Sequence, residues 1–305
     1  MRVLDADEVR GSLTYADAID ALERAFRAGD PSATPPRSSV TTEAGSLLLM
    51  PAASPEAAGV KLVTVTPANP AAGRPLIHAV YVVFDGGTQA PMAVLDGAAL
   101  TALRTSAVSA MATRFLANDE ASTLVVFGSG VQAAAHVEAM RAVRPIERVV
   151  VVGRDAAKAE GLAATIRRDG LEAAVGEPMA VADADVVCTC TTATAPLFDG
   201  AWLRPGCHVN AVGAFRPDDR EVDTETFRRA RVVVETRDAA AAEAGDILIP
   251  IAEGAIGWDH VVADLAEVVG GATVRRSADD VTLFESVGLA FEDLAVASAI
   301  VGRRG

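Results

Sequence analysis

Aromatic residues are scarce in this chain, at 4% of 305 residues, and its apolar half is mostly Ala and Val, the composition of an ordinary α/β enzyme. Positive charge is also short. Lys and Arg number 27 against 41 Asp and Glu, a formal net charge of −14. The resulting field repels nucleic acid and anionic membrane surfaces at long range, so neither is an expected partner. An anionic substrate must then be held by a local cluster of cations inside a cleft. Cysteine is limited to Cys188, Cys190 and Cys207. An odd number, with the first two alternating along a Val-rich run, predicts core thiols in a reducing compartment rather than a disulfide or a zinc site. His78, His136, His208 and His260 lie far apart in sequence, and no metal is expected. No basic leader precedes an apolar core, and no segment has the roughly 18 uninterrupted apolar residues of a membrane span, which predicts a soluble, cytoplasmic protein.

The length suits two domains, each with its own interior. Residues 15–28 carry apolar side chains at helical spacing, with Thr14 placed to cap the helix and Gly29 to end it. A Pro-rich polar stretch, 31–39, leads into strand-like runs at 46–50, 60–66, 79–84 and 91–95, and Asp85-Gly86-Gly87 is a hairpin signal between the last two. This part predicts a mostly antiparallel sheet with flanking helices, followed by a helix over 97–117. From Ser122 the pattern changes. Short continuous apolar runs at 124–127, 148–152, 185–191, 208–212 and 230–235 alternate with helical segments such as 131–141 and 156–168, which predicts parallel strands joined by βαβ crossovers. Residues 290–301 read as a final helix that packs back on the first domain.

Directly after the run 124–127 comes Gly128-Ser129-Gly130-Val131-Gln132-Ala133, a G-x-G-x-x-A turn. The first Gly permits the tight turn, the second lets a pyrophosphate approach the backbone, and Ala lets the helix pack close to the sheet. The helix start presents free N–H groups and its dipole to phosphate. Cofactor choice is read at the end of the next strand, where an acid would favour NAD. Here Gly153 is followed by Arg154, whose guanidinium suits the additional phosphate of NADP, while Asp155 stands one or two places late. NADPH is therefore the expected cofactor, with NADH as the alternative.

Three basic residues sit in settings unusual for solvated charges: Arg37 after Pro35-Pro36, Lys61 at the start of a strand-like run, and Arg104 in the apolar helix 97–117. Burying them requires an anion or a hydrogen-bonding partner. Together with Gly59-Val60-Lys61, Leu103-Arg104-Thr105-Ser106-Ala107, the glycine turn, Asn210-Ala211-Val212-Gly213-Ala214 and the segment from Leu283 to Asp293, they make the sequence resemble the ornithine cyclodeaminase and mu-crystallin family over nearly its whole length. The resemblance implies a Rossmann-type, doubly wound parallel sheet over residues 117–289, and a second α+β substrate-binding and dimerisation domain from 1–116 and 290–305, in a homodimer. It also implies that Arg37, Lys61 and Arg104 grip a substrate carboxylate, and that Thr191, Thr192, Val212, Gly213 and Ser286 to Gly288 approach the nicotinamide.

One position departs from the cyclodeaminase pattern. Where those enzymes carry an aspartate two residues after the glycine of the Asn-Ala-Val-Gly block, this chain has Phe215, which neither accepts a proton nor orients ammonia. Asp218 and Asp219 come too late in the loop to replace it, and read instead as a capped start to a helix over 221–229. The branch reading Gly-Ala-x-x-Pro resembles reductases of cyclic ketimines such as Δ1-pyrroline-2-carboxylate and Δ1-piperideine-2-carboxylate. A protonated imine is already electrophilic, so carboxylate binding and alignment carry most of the catalysis. The expected reaction is NAD(P)H-dependent reduction of a cyclic 2-imino acid to L-proline or L-pipecolate, with Lys61 and Arg104 as catalytic residues and Phe215 and Gly288 against the substrate. An alanine dehydrogenase, an ornithine cyclodeaminase and a non-catalytic NADPH-dependent binding protein remain as alternatives.

Overall fold

The computed structural model describes residues 1–302, which divide into two compact units. The first comprises Met1–Thr105 and the chain from Leu289 onward; the second is Ser106–Gly288. The class is α/β, as the sequence predicts.

The first unit opens with β1 (Arg2–Leu4), α1 (Ala6–Arg10) and α2 (Tyr15–Ala28). Thr14 and Asp17 form a reciprocal capping box on α2, and Gly29 ends it. The strands β2 (Ser38–Thr42), β3 (Gly45–Ala53), β4 (Ala57–Val65), β5 (Ile77–Asp85) and β6 (Pro91–Asp96) then form a sheet in the order β1-β6-β5-β4-β3-β2, antiparallel except for the β1–β6 pair. Strand β4 alternates, with Gly59, Lys61 and Val63 buried on the inner face. The C-terminal helix α10 (Ala290–Gly302) packs on that face and on α2, where Phe26 and Phe291 meet edge to face at 5.2 Å. The short β1 and the exposed β2 carry too little apolar periodicity to be legible in the sequence. Helix α3 (Gly97–Leu116) leads from β6, and the division between the units falls within it.

The second unit contains β7 (Thr123–Phe127), α4 (Val131–Arg141), β8 (Arg148–Val152), α5 (Ala156–Arg168), β9 (Glu172–Val175), β10 (Val186–Thr189), β11 (His208–Ala211), α6 (Thr224–Arg229), β12 (Ala230–Val234), α7 (Arg237–Glu243), α8 (Gly245–Ala252), β13 (Val261–Asp264), α9 (Leu265–Val269) and β14 (Val281–Glu285). All eight strands are parallel, in the order β13-β12-β14-β11-β10-β7-β8-β9. Chain order reverses between β7 and β10, and in open parallel sheets ligands bind in the crevice at the strand ends beside that reversal. Strand β14 returns from far along the chain to lie between β11 and β12, every residue buried. Its five-residue run, like β9 and β13, has no helical or alternating signature and is not legible beforehand.

Candidate active site

The glycine turn stands at the carboxyl end of β7, beside the reversal. Gly128 adopts φ +109°, and a Cβ there would come within 2.7 Å of the Cys190 carbonyl. This position requires glycine twice over. Gly130 caps α4, and a Cβ built on it meets nothing within 4 Å. No side chain caps α4, so its first-turn N–H groups are left for an anion, and Ala133 is fully buried against the sheet. Val131 is exposed and Gln132 half-buried at this end. These features fit a dinucleotide pyrophosphate. At the end of β8, Asp155 is engaged elsewhere: its carboxylate caps α5 through the Lys158 amide at 3.1 Å. Arg154 beside it is exposed.

The other segments expected near the cofactor also end strands of this sheet. Thr191 and Thr192 follow β10, Val212 and Gly213 follow β11, and Ser286 to Gly288 follow β14. Buried acids hold them. Glu221 accepts from the Thr191 amide and hydroxyl at 2.8 and 2.5 Å and from the Gly213 amide at 2.7 Å. Glu235 accepts from the Ser286 hydroxyl at 2.6 Å and from the Val287 and Gly288 amides at 3.1 and 2.8 Å. Phe215 is exposed in the loop after β11, with the Arg216 guanidinium 5.7 Å from its ring centre. Asp218 and Asp219 do not begin a helix: α6 starts at Thr224, and its cap is Asp223, which accepts from the Thr226 amide at 2.8 Å.

In the first unit, Lys61 on β4 and Arg104 on α3 converge on α10. Lys61 Nζ lies 3.0 and 2.8 Å from the two carboxylate oxygens of Asp293. Arg104 Nε lies 3.1 Å from Asp293 Oδ1, and its Nη1 lies 2.6 Å from Glu292 Oε2. All four side chains are buried. Burial, helped by the charges of Arg104 and Arg37, lowers Lys61 to about 8 against the pull of Asp293. Half-buried Arg37 is thus within electrostatic reach of Lys61, so the three sequence-predicted cations come together. Glu292 and Asp293 were the missed members. Two acids in the first turn of an otherwise apolar helix were the available signal. Tyr81, paired with Lys61 across β4 and β5, lies on the same face with its hydroxyl buried and unpartnered, and burial together with Asp293 holds it strongly protonated.

The cysteines are chemically quiet. Burial pushes Cys188 and Cys207 up to about 12 and raises Cys190 as well. Buried His136 and His208 are lowered to about 4 and about 3 and stay neutral. Among the described residues, no group of three or more His, Cys, Asp or Glu is placed to hold a metal ion, and no helix is long and apolar enough to cross a membrane.

Residues 1–304 match the model of the ornithine cyclodeaminase/mu-crystallin family. A Δ1-pyrroline-2-carboxylate reductase of Bacillus cereus is 37% identical over 314 residues, which cover 99% of this chain and 96% of the relative. The solved structure of Thermococcus litoralis Δ1-pyrroline-2-carboxylate reductase in complex with NADH and L-proline is similar with a TM-score of 0.93 at 34% identity, covering 99% of this chain and 97% of that one. An archaeal alanine dehydrogenase dimer with bound NAD gives a TM-score of 0.92 at 31% identity, covering 99% and 95%.

Proposed function

This chain belongs to the ornithine cyclodeaminase/mu-crystallin family, and on that premise we propose that it is an oxidoreductase that uses NAD(P)H to reduce a cyclic 2-imino acid, Δ1-pyrroline-2-carboxylate or Δ1-piperideine-2-carboxylate, to L-proline or L-pipecolate. The relatives reported above support the reductase class. The observation that carries the reading is Phe215, a ring in the loop where a cyclodeaminase needs a carboxylate, in a chain that keeps the cation set.

Gly128, Ser129, Gly130, Val131 and Gln132 hold the pyrophosphate, and Arg154 takes the 2′-phosphate of NADP. Thr191, Thr192, Val212, Gly213 and Ser286 face the nicotinamide, which supplies the hydride to the imine carbon. Phe215 and Gly288 lie against the substrate. Arg37, Lys61 and Arg104 bind the carboxylate. Asp293 and Glu292 pair with Lys61 and Arg104 and fix them in place. Lys61, held near 8, carries at neutral pH a proton that it can give to the substrate nitrogen.

The first unit also serves as the dimerisation domain. Strand pairing places Val3, Val94, Val82 and Val60 in one row of its outer sheet face, beside Val80, Leu62 and Leu49, with Leu47 and Val40 at the edge. Val3, Val40 and Val80 are 72%, 53% and 44% exposed, an apolar face that a second copy would cover.

The decisive assay follows loss of NADPH absorbance with each cyclic imine, beside NADH and beside pyruvate with ammonium. Oxidation by the imines alone is expected. Turnover only with pyruvate and ammonium would move the chain to the alanine dehydrogenases, the second reading favoured by the archaeal structure.

A further inference from the structure

The loops after β10, β11 and β14 hang from two buried carboxylates that, among the described residues, form no ion pair with a Lys or Arg. Glu221 and Glu235 are 0% and 1% exposed. Burying a carboxylate without a cation costs several kcal/mol, offset here only by amide and hydroxyl donors. An apolar side chain would fill the space at less cost, but could not fix the amides of Thr191, Gly213, Val287 and Gly288. The bracing has a second tier: Asp246 Oδ1 accepts from the Glu221 and Val222 amides at 2.8 and 2.9 Å and so fixes the backbone that carries Glu221. The fit leaves no slack. A Cβ on Gly213 would run into the Thr191 carbonyl and the Glu221 carboxylate, and Gly288 turns through φ +82°.

We propose that Glu221 and Glu235 are positioning residues for hydride transfer, holding the three loops at the height that presents the nicotinamide ring to the imine carbon. The proposal rests on the reductase reading above, which sets a nicotinamide and an imine carbon against these loops.

Glutamine separates the two braces. At position 235 an amide oxygen can take both backbone N–H groups while its NH2 donates to Ser286 Oγ, so Glu235→Gln keeps the brace. At position 221 backbone N–H groups point at both carboxylate oxygens, so Glu221→Gln sets an NH2 against one of them. Glu235→Gln is expected within about threefold of wild-type kcat, whereas Glu221→Gln and Glu235→Ala lose about 30- to 100-fold, the scale of a roughly 1 Å misplacement. The KM for the imine should change little. The primary isotope effect with NADPH deuterated at the transferred hydrogen should rise in the two impaired variants, which a loss of stability alone would not cause. Should those two fail to fold, Ser286→Ala, which removes a single contact, should give a smaller fall with the same rise. Wild-type kcat and isotope effect in Glu221→Gln, or no difference between Glu235→Gln and Glu235→Ala, overturns the proposal. A wild-type protein inert toward imines would fail the reductase reading instead. The brace is then read by amide exchange of the peptide carrying Val287 and Gly288, which should be faster in Glu235→Ala than in Glu235→Gln; equal exchange would refute it.

Discussion

Lys61 Nζ lies 2.8 Å from Asp293 Oδ2, with both side chains closed to solvent at 3% and 0% exposure. The pair is half of a four-residue ion cluster, and its geometry has two opposed effects. It holds the lysine in place, and it leaves burial strong enough to bring the ammonium close to neutral pH.

Removing the acid therefore has a defined sign. Asp293→Asn leaves Lys61 and Arg104 buried with less compensation and should destabilise the protein by about 3 kcal/mol, the scale of a broken buried pair. Asp293 is the main influence raising the Lys61 pKa, so the variant's alkaline limb in kcat/KM should move to lower pH. Thermal melts and a pH–rate profile test both effects.

In the wild type, kcat/KM for the imine should fall as pH rises through about 8, where Lys61 loses its proton. Stability runs the other way. A lysine lowered on folding from 10.5 to about 8 disfavours the fold while it is protonated, so its unfavourable contribution is full below about 8 and relieved as pH climbs toward 10.5. Lys61→Met should abolish the alkaline limb. A limb that persists in that variant would assign the titration to another group.

The phosphate turn offers a test with an internal control. Gly130→Ala puts a methyl group into open space at ordinary backbone angles, so folding should be unaffected while KM for NADPH rises about tenfold or more, as expected where a pyrophosphate must approach the backbone. Gly128→Ala meets both a left-handed backbone and the Cys190 carbonyl, and should instead lose about 1–3 kcal/mol of stability. Cofactor titration and melting of both variants separate the two roles.

Much of this site was legible in the sequence. The glycine turn needs a strand before it and a helix after it, and local pattern supplied both, with α4 and α5 falling on the expected residues. Lys61 and Arg104 were conspicuous because a charge in an apolar run demands a partner. Long-range pairing was hidden. Nothing near Lys61 in sequence points to Asp293, 232 residues away. Strand β14 inserts between two strands that precede it in the chain, which no local period encodes. Glu221 and Glu235 look like surface charges at helix and strand ends, and only the folded sheet turns them inward.

Asp246 gives the last prediction. Burial raises its carboxyl to about 7 from 3.8, with the nearby charge of Glu221 acting in the same direction and Arg220 and the Glu221 and Val222 amides opposing it; Asp246 also raises Glu285. A carboxyl raised on folding contributes stability that is complete below the unfolded value and disappears as pH rises through the folded one. At about 1.4 kcal/mol per pH unit, this amounts to a few kcal/mol lost between about pH 4 and 7. Only Oδ1 accepts hydrogen bonds, and Oδ2 is unpartnered, so Asp246→Asn can keep both amide contacts while removing the titration. Chemical denaturation at pH 5 and pH 8 should show the variant gaining on the wild type at the higher pH. An equal difference at both pH values would mean that Asp246 is already ionised in the folded protein.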